Sequence, residues 1–389
     1  MKSILFFHSH TLYAKATIPI ALACLDRGWQ ITFAVNRLTF FGKSWGFSDK
    51  SIKRKPTAVK ILNPESFDFV SGLIGLNSPW HAATADINYS RVGEFSPKSF
   101  DAIVGTIKDI VKLSNFSASG TPTFAVGYEH LPILARVGNY LESSTVSRST
   151  ESVFFSDNEF SNCHGFTEIV KGHDVRLNAF THLDQVYASG LTSTNSGDQV
   201  LIFHPGGYRN IVSAPGDDKD KCYAGQKALL ERLCLPLIEQ GLTPCVKVHP
   251  LRAQYHDYED LQYICSSIEK QHKLRKQSIK ILGPKELFWK TAFNSAFIIT
   301  FGSTAMYELW SVGLKNVHVC NFEGTTRSEN FEFFPSVFIN TISEFEALVQ
   351  QPGKYSPTLD PLAECTYSTY KSLFNGCAAL EVIKAIDTI

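Results

Sequence analysis

Short apolar runs closed by polar or glycine-bearing turns recur along the chain and alternate with longer stretches of helical period. Residues 3–7 (Ser-Ile-Leu-Phe-Phe) predict a buried first strand. The polar turn His8-Ser9-His10-Thr11 follows, then a helix through about Asp26 that Gly28 ends, then a strand over 29–35. Strand, helix and strand in this order open a doubly wound α/β fold. The first loop is not glycine-rich and carries no G-x-G-x-x-G, so the dinucleotide fingerprint is absent.

Two further strands are expected at 101–104 and 121–126, with a helix between them. The second runs into Gly127-Tyr128-Glu129-His130-Leu131-Pro132, and the polar stretch 142–152 reads as a surface loop. Ser193-Thr194-Asn195-Ser196-Gly197-Asp198 is a turn-forming linker that closes a first domain at 1–192. A second α/β domain over 199–370 starts with the strand 199–203, which leads into His204-Pro205-Gly206-Gly207. A helix near 224–240 precedes a strand ending Lys247-Val248-His249-Pro250. Strands at 278–282, from 295 to Gly302-Ser303-Thr304, and at 317–320 complete the set, with a helix over 305–310. The tail 371–389 holds a last helix, about 376–386, expected to cross back onto the first domain. The architecture expected is thus two Rossmann-type doubly wound domains facing a central cleft.

Composition narrows the function classes. A chain of 389 residues with 44% hydrophobic and 19% charged residues is long enough for two cores. Its 37 basic and 37 acidic residues balance, which argues against nucleic acid as a partner. Nine scattered cysteines without a C-x-x-C pair predict buried reduced thiols rather than a zinc site, so no metal is expected. The N-terminal apolar run is too short for a signal peptide, and no stretch approaches the roughly 20 apolar residues of a spanning helix. A cytoplasmic protein is expected. Lys53-Arg54-Lys55-Pro56 is a surface patch, or a peripheral contact with anionic lipid worth about 1 kcal/mol per basic residue.

In an open α/β sheet, ligands sit outside the carboxyl ends of the strands. Lys247 and His249, two apart in a strand, share a face there, with Pro250 opening the loop. Ser303 and Thr304 read as a helix N-cap, and a helix N-terminus with nearby cations attracts phosphate. Glu308 lies one turn on, as a ribose acceptor or a surface carboxylate. Gly206 and Gly207 let the backbone approach a bulky group, or simply make a tight turn. On the acceptor side stand His8, His10 and His130. Glu129 is the leading general base, or a structural ion-pair partner. Asp217 and Asp218, in the acidic run after the glycine pair, compete with it, or form a solvated loop.

The order of these parts resembles the C-terminal half of bacterial GT-B glycosyltransferases of surface polysaccharide synthesis. The likeness covers about 199–320 and, less fully, 1–135. The similar families share a His-Pro motif and a Ser-Ser or Ser-Thr motif: bacterial sialyl- and polysialyltransferases and capsule Kdo transferases. The resemblance implies a CMP-linked acidic sugar donor whose phosphate is held by His249, Ser303 and Thr304, with Lys247 matching the motif's preceding lysine. It implies a capsule, lipopolysaccharide or lipid-linked glycan acceptor, a metal-independent reaction, and no cofactor beyond the donor. The families' acidic catalytic motif has no clear counterpart, since Glu129 is followed by His130-Leu131-Pro132. CDP-glycerol and CDP-ribitol phosphotransferases, a nucleotide-sugar 2-epimerase and a non-catalytic assembly scaffold remain as alternatives.

Overall fold

The computed structural model describes residues 1–8, 13–35, 87–91, 96–106, 109, 113, 116–117, 119–127, 152–156, 174–178, 180–191, 197–204, 219–248, 257–283, 286–301, 303, 305–322, 338–352 and 376–389. The basic cluster 53–56, the polar stretch 142–151 and the linker residues 193–196 lie outside them. The chain divides into two compact units, Met1–Ser189 with Ser372–Ile389, and Gly190–Lys371.

The first unit is built on a sheet of strands β1 (Ser3–His8), β2 (Gln30–Val35), β3 (Ile87–Arg91), β4 (Ala102–Thr106), β5 (Thr123–Val126), β6 (Ser152–Ser156) and β7 (Asp174–Leu177). Their order is β3-β2-β1-β4-β5-β6-β7, and every pair is parallel. Ile4, Leu5, Phe6 and Phe7 are all fully buried, as expected of a central parallel strand covered on both faces. Helix α1 (Ala14–Leu25) packs on this sheet and is itself covered by the C-terminal helix. Ala16, Ile18 and Ile20 join Ala379, Val382, Ile383 and Ile386 in one core cluster.

The short helix α2 (Asp184–Ala188) anchors that C-terminal helix. The carboxylate of Asp184 accepts from the backbone N–H groups of Ala378 (3.0 Å) and Ala379 (2.9 Å), capping a helix start almost two hundred residues away. Asn178 donates to Ala378 O at 2.9 Å, and Lys2 donates to Ile386 O at 2.6 Å. Just before the helix, Gly376 takes φ +73°, and a Cβ there would stand 2.3 Å from the Tyr187 ring, so only glycine fits.

The second unit repeats the plan. Strands β8 (Gln199–Phe203), β9 (Thr243–Lys247), β10 (Lys280–Leu282), β11 (Ser295–Thr300), β12 (Val317–Cys320) and β13 (Phe338–Ile339) form a parallel sheet of order β10-β9-β8-β11-β12-β13. Helices α3 (Lys219–Glu239), α4 (Asp257–Gln271), α5 (Trp289–Phe293), α6 (Ala305–Ser311), α7 (Ile342–Gln350) and α8 (Ala378–Asp387, the C-terminal helix of the first unit) complete the described elements. Leu233 and Leu237 of α3 and Ile264 and Ile268 of α4 pack with Ile202, Val246 and Ile299 of the sheet. A capping box starts α7: Thr341 accepts from Glu344 N at 3.2 Å, and the Glu344 carboxylate accepts from Thr341 N at 3.2 Å.

Strands β3, β6, β7 and β13 and helix α7 are absent from the sequence-based reading. The strand expected at 295–304 stops at Thr300, and the one expected at 278–282 starts at Lys280.

Candidate functional site

Strand order reverses between β1 and β4 in the first sheet, and between β8 and β11 in the second. At such a switch point the loops diverge and open a crevice at the carboxyl ends of the strands. Both places carry polar side chains that an all-apolar core would not need.

In the second unit, Lys247 is the last residue of β9 and aligns with Phe203 on one side and Leu282 on the other. Its neighbours Val246 and Val248 enter the core beneath α3 and α4, so alternation turns Lys247 to the opposite face. It is only 4% exposed. Its Nζ donates to the carbonyl of Gly283. The Glu286 carboxylate accepts from Gly283 N at 3.2 Å and supports the charged form from nearby. Burial outweighs that support and brings the Lys247 pKa down to about 8. Its own carbonyl accepts from His204 N at 3.0 Å, which ties the start of the loop after β8 to the end of β9.

Thr300 ends β11, one residue past the Ile299–Ile202 pair, so it aligns with Phe203 on the face that carries Lys247. Its hydroxyl is fully buried and has no hydrogen-bond partner among the described residues. Ser303 Oγ accepts from Ala305 N at 3.3 Å and its carbonyl from Met306 N at 3.2 Å, the geometry of an N-cap on α6. That helix has seven residues, so its dipole offers less to an anion than the sequence reading supposed, and the first-turn N–H groups carry what there is. Glu308 is 8% exposed, which removes the reading of it as a surface carboxylate.

In the first unit, His8 closes β1 and is completely buried. Its Nε2 lies 2.8 Å from Thr17 Oγ1, and its ring tilts against Phe33 at 5.9 Å. Nδ1 has no partner among the described residues, and burial lowers the pKa to about 3, so the ring is neutral. In this position His8 has no surface to offer an acceptor, in contrast with the acceptor-side place the sequence suggested. Across the switch point, Thr106 Oγ1 donates to Asp109 Oδ2 at 3.0 Å, and Asp109 is 3% exposed. Sequence reasoning passed over Thr106, Asp109 and Thr300. The available signal was a polar residue directly at the end of an apolar strand.

The structure thus places Lys247, Ser303 and Glu308 at the carboxyl side of the second sheet and His8 at that of the first. His10, Glu129, His130, Gly206, Gly207, Asp217, Asp218, His249, Pro250 and Thr304 lie outside the described residues. Among the described residues no group of three or more His, Cys, Asp or Glu side chains could hold a metal ion. None of their helices is long and apolar enough to cross a membrane.

No protein-family model matches the chain, and no curated protein does. Solved structures do. UDP-N-acetylglucosamine 2-epimerase from Rickettsia bellii superposes with a TM-score of 0.51 at 13% identity, covering 100% of this chain and 96% of that one. Arabidopsis thaliana UGT89C1 complexed with UDP gives 0.52 at 9% identity, covering 99% of each chain. A transferase from Siraitia grosvenorii in complex with UDP gives 0.52 at 10% identity, covering 100% of this chain and 99% of that one. At such low identity the likeness speaks for architecture alone. Two parallel, doubly wound sheets matched over their whole length to these structures give the chain the GT-B fold.

Proposed function

We infer that the protein is a glycosyltransferase that takes a nucleotide-activated sugar as donor, with the donor phosphate at the carboxyl ends of β8, β9 and β11. The observation that carries this reading is Lys247, a buried cation at the sheet's switch-point edge whose charge is weakly held. An arriving phosphate supplies the opposite charge that burial denies it. His249, Ser303 and Thr304 belong to the same loop ends in sequence and would share the phosphate as negative charge builds on it in the transition state.

Glu129, or an aspartate of the 217–218 pair, would accept the proton of the acceptor hydroxyl. The acceptor would be a glycan or lipid-linked glycan at the cytoplasmic face of a membrane. The His-Pro and Ser-Thr motifs favour a CMP-linked acidic sugar such as Kdo or sialic acid. Two of the similar solved structures are complexes with UDP, so a uracil nucleotide is the competing donor.

Thermal shift with CMP, CDP, UDP and GDP, on wild type and His249→Ala, tests the reading. A ligand at about 100 times its Kd stabilises by about 2.7 kcal/mol, which moves the midpoint by several degrees. A shift with CMP, lost in His249→Ala, supports the acidic-sugar donor, and a shift with UDP replaces that donor while keeping the transferase. No shift with any nucleotide refutes it.

A second reading rests on the whole-length likeness to a UDP-N-acetylglucosamine 2-epimerase. Incubation with UDP-N-acetylglucosamine and no acceptor separates the two, since only an epimerase would return a second nucleotide sugar.

A further inference from the structure

In the second unit, helices α3 and α4 bound a groove of about 630 Å³. Its lining has an uncommon mixture. Tyr263 of α4 is 70% exposed, far more than a packing role requires of a tyrosine. Tyr223 of α3 stands edge-on to it, with ring centroids 6.0 Å apart and planes at 89°. The Tyr223 hydroxyl donates to Asp260, which fixes both the ring and the carboxylate. Burial raises the Asp260 pKa, so the carboxylate sits in a partly desolvated place. Glu259, Lys227 and Ser267 complete the polar lining.

The spacing makes this a continuous strip. Asp260, Tyr263 and Ser267 recur at helical intervals along one face of α4, and Tyr223 and Lys227 are one turn apart on α3. At 1.5 Å per residue the strip runs about 10 Å, the length of a disaccharide. An exposed aromatic ring, an oriented carboxylate and a hydroxyl are groups that recognise a polyol. The ring covers the C–H face of a sugar, and the carboxylates accept from its hydroxyls. Lys227 reaches Gln271 and Glu231, so it offsets part of the acidic charge and leaves the strip mildly negative. An apolar helix or a nucleic acid would find the wrong surface there, and an anionic polymer would be repelled.

We propose that this groove is a holding site for a neutral oligosaccharide, bounded by the helices that cover the face of the sheet opposite the one carrying Lys247. It rests on the reading of the protein as a glycan-modifying enzyme, and its role is to retain a segment of the acceptor chain.

The test is saturation-transfer NMR on the full chain with chitohexaose, maltohexaose, cellohexaose and mannohexaose, and with a hyaluronan hexasaccharide as the anionic comparison. At least one neutral probe should bind and the anionic one should not. Tyr263→Ala should weaken binding about tenfold, equivalent to about 1.4 kcal/mol, while Tyr263→Phe keeps it. Both variants should retain wild-type nucleotide thermal shifts, because Tyr263 belongs to α4, which covers the face of the sheet opposite Lys247. Absence of binding by every neutral probe overturns the proposal, as does binding that Tyr263→Ala leaves intact. If nucleotides bind and oligosaccharides do not, the groove alone falls. If oligosaccharides bind through Tyr263 while no nucleotide binds, the groove stands and the transferase reading falls.

Discussion

Lys247 gives the sharpest prediction, because its charge responds to both pH and ligand. Burial lowers its pKa from the ordinary 10.5 to about 8. A donor phosphate beside Nζ favours the ammonium and restores the ordinary value. Nucleotide binding should therefore take up about 0.8 of a proton at a pH of about 8.5. Kd should weaken about tenfold from about pH 7 to about pH 9, equivalent to about 1.4 kcal/mol. Calorimetry in buffers of different ionisation enthalpy reads the proton uptake directly, and Lys247→Met should abolish both effects. A Kd that stays flat across this range, or keeps its slope in Lys247→Met, refutes the placement of phosphate at Lys247.

The same substitution carries a stability signature. The gap between 10.5 and about 8 corresponds to roughly 3 kcal/mol of cost for the buried charge. Methionine removes that cost and forfeits the charge-assisted hydrogen bond to Gly283, worth about 1.5–3 kcal/mol. Lys247→Met should thus melt at or above the wild-type temperature while losing nucleotide. The sign also follows. A lowered lysine pKa means that the unfolded chain holds more protons between about 8 and 10.5, so wild-type stability should gain on Lys247→Met across that window as pH rises.

Asp184→Ala strands two N–H groups at the start of α8 and should cost about 1–2 kcal/mol in chemical denaturation; Asp184→Asn, which keeps an acceptor, should cost less, and an unchanged midpoint would contradict the cap. Burial lowers the pKa of His8 to about 3 and of His318 to about 4, so stability present above about 6.5 should be lost as pH falls towards those values. His318→Leu should remove part of that loss. An acid-unfolding midpoint that does not move would show that His318 is not held neutral by burial.

The central strands were legible because parallel strands buried on both faces must be continuously apolar. Ile4–Phe7, Val200–Ile202 and Phe297–Ile299 satisfy that rule and stand on either side of the two switch points. The outer strands are harder to read for the same reason. Asp174–Leu177 is short and alternates polar with apolar residues, as an edge position allows, Ser152–Ser156 holds only three apolar residues between two serines, and the two-residue β13 has no period at all. Asp184 was invisible for a different reason. Its partners are Ala378 and Ala379, and no local pattern joins an acidic residue to a helix start at the far end of the chain.

Candidate site residues were legible where charge interrupts an apolar strand. Lys247 after Pro244-Cys245-Val246 is such an interruption, and the structure explains its consequence: alternation turns Val246 and Val248 inward and leaves Lys247 on the face that ends at the switch point. Thr300 is the same signal in weaker form, since one hydroxyl after Ala296-Phe297-Ile298-Ile299 reads as apolar. It aligns with Phe203 on the Lys247 face, and its buried hydroxyl has no partner among the described residues. A buried, unpartnered donor and a buried cation both cost stability, and a fold can shed that cost by substituting apolar residues of similar size. Finding both on one face at one sheet edge makes a ligand that supplies acceptors and negative charge the economical explanation. His8 differs in charge rather than in pairing: its Nδ1 also lacks a partner among the described residues, but its Nε2 is matched to Thr17, its ring tilts against Phe33, and burial keeps it neutral. A histidine at a strand's carboxyl end is therefore a packed residue in one unit, while a lysine at the matching edge of the other is the centre of the proposed phosphate site.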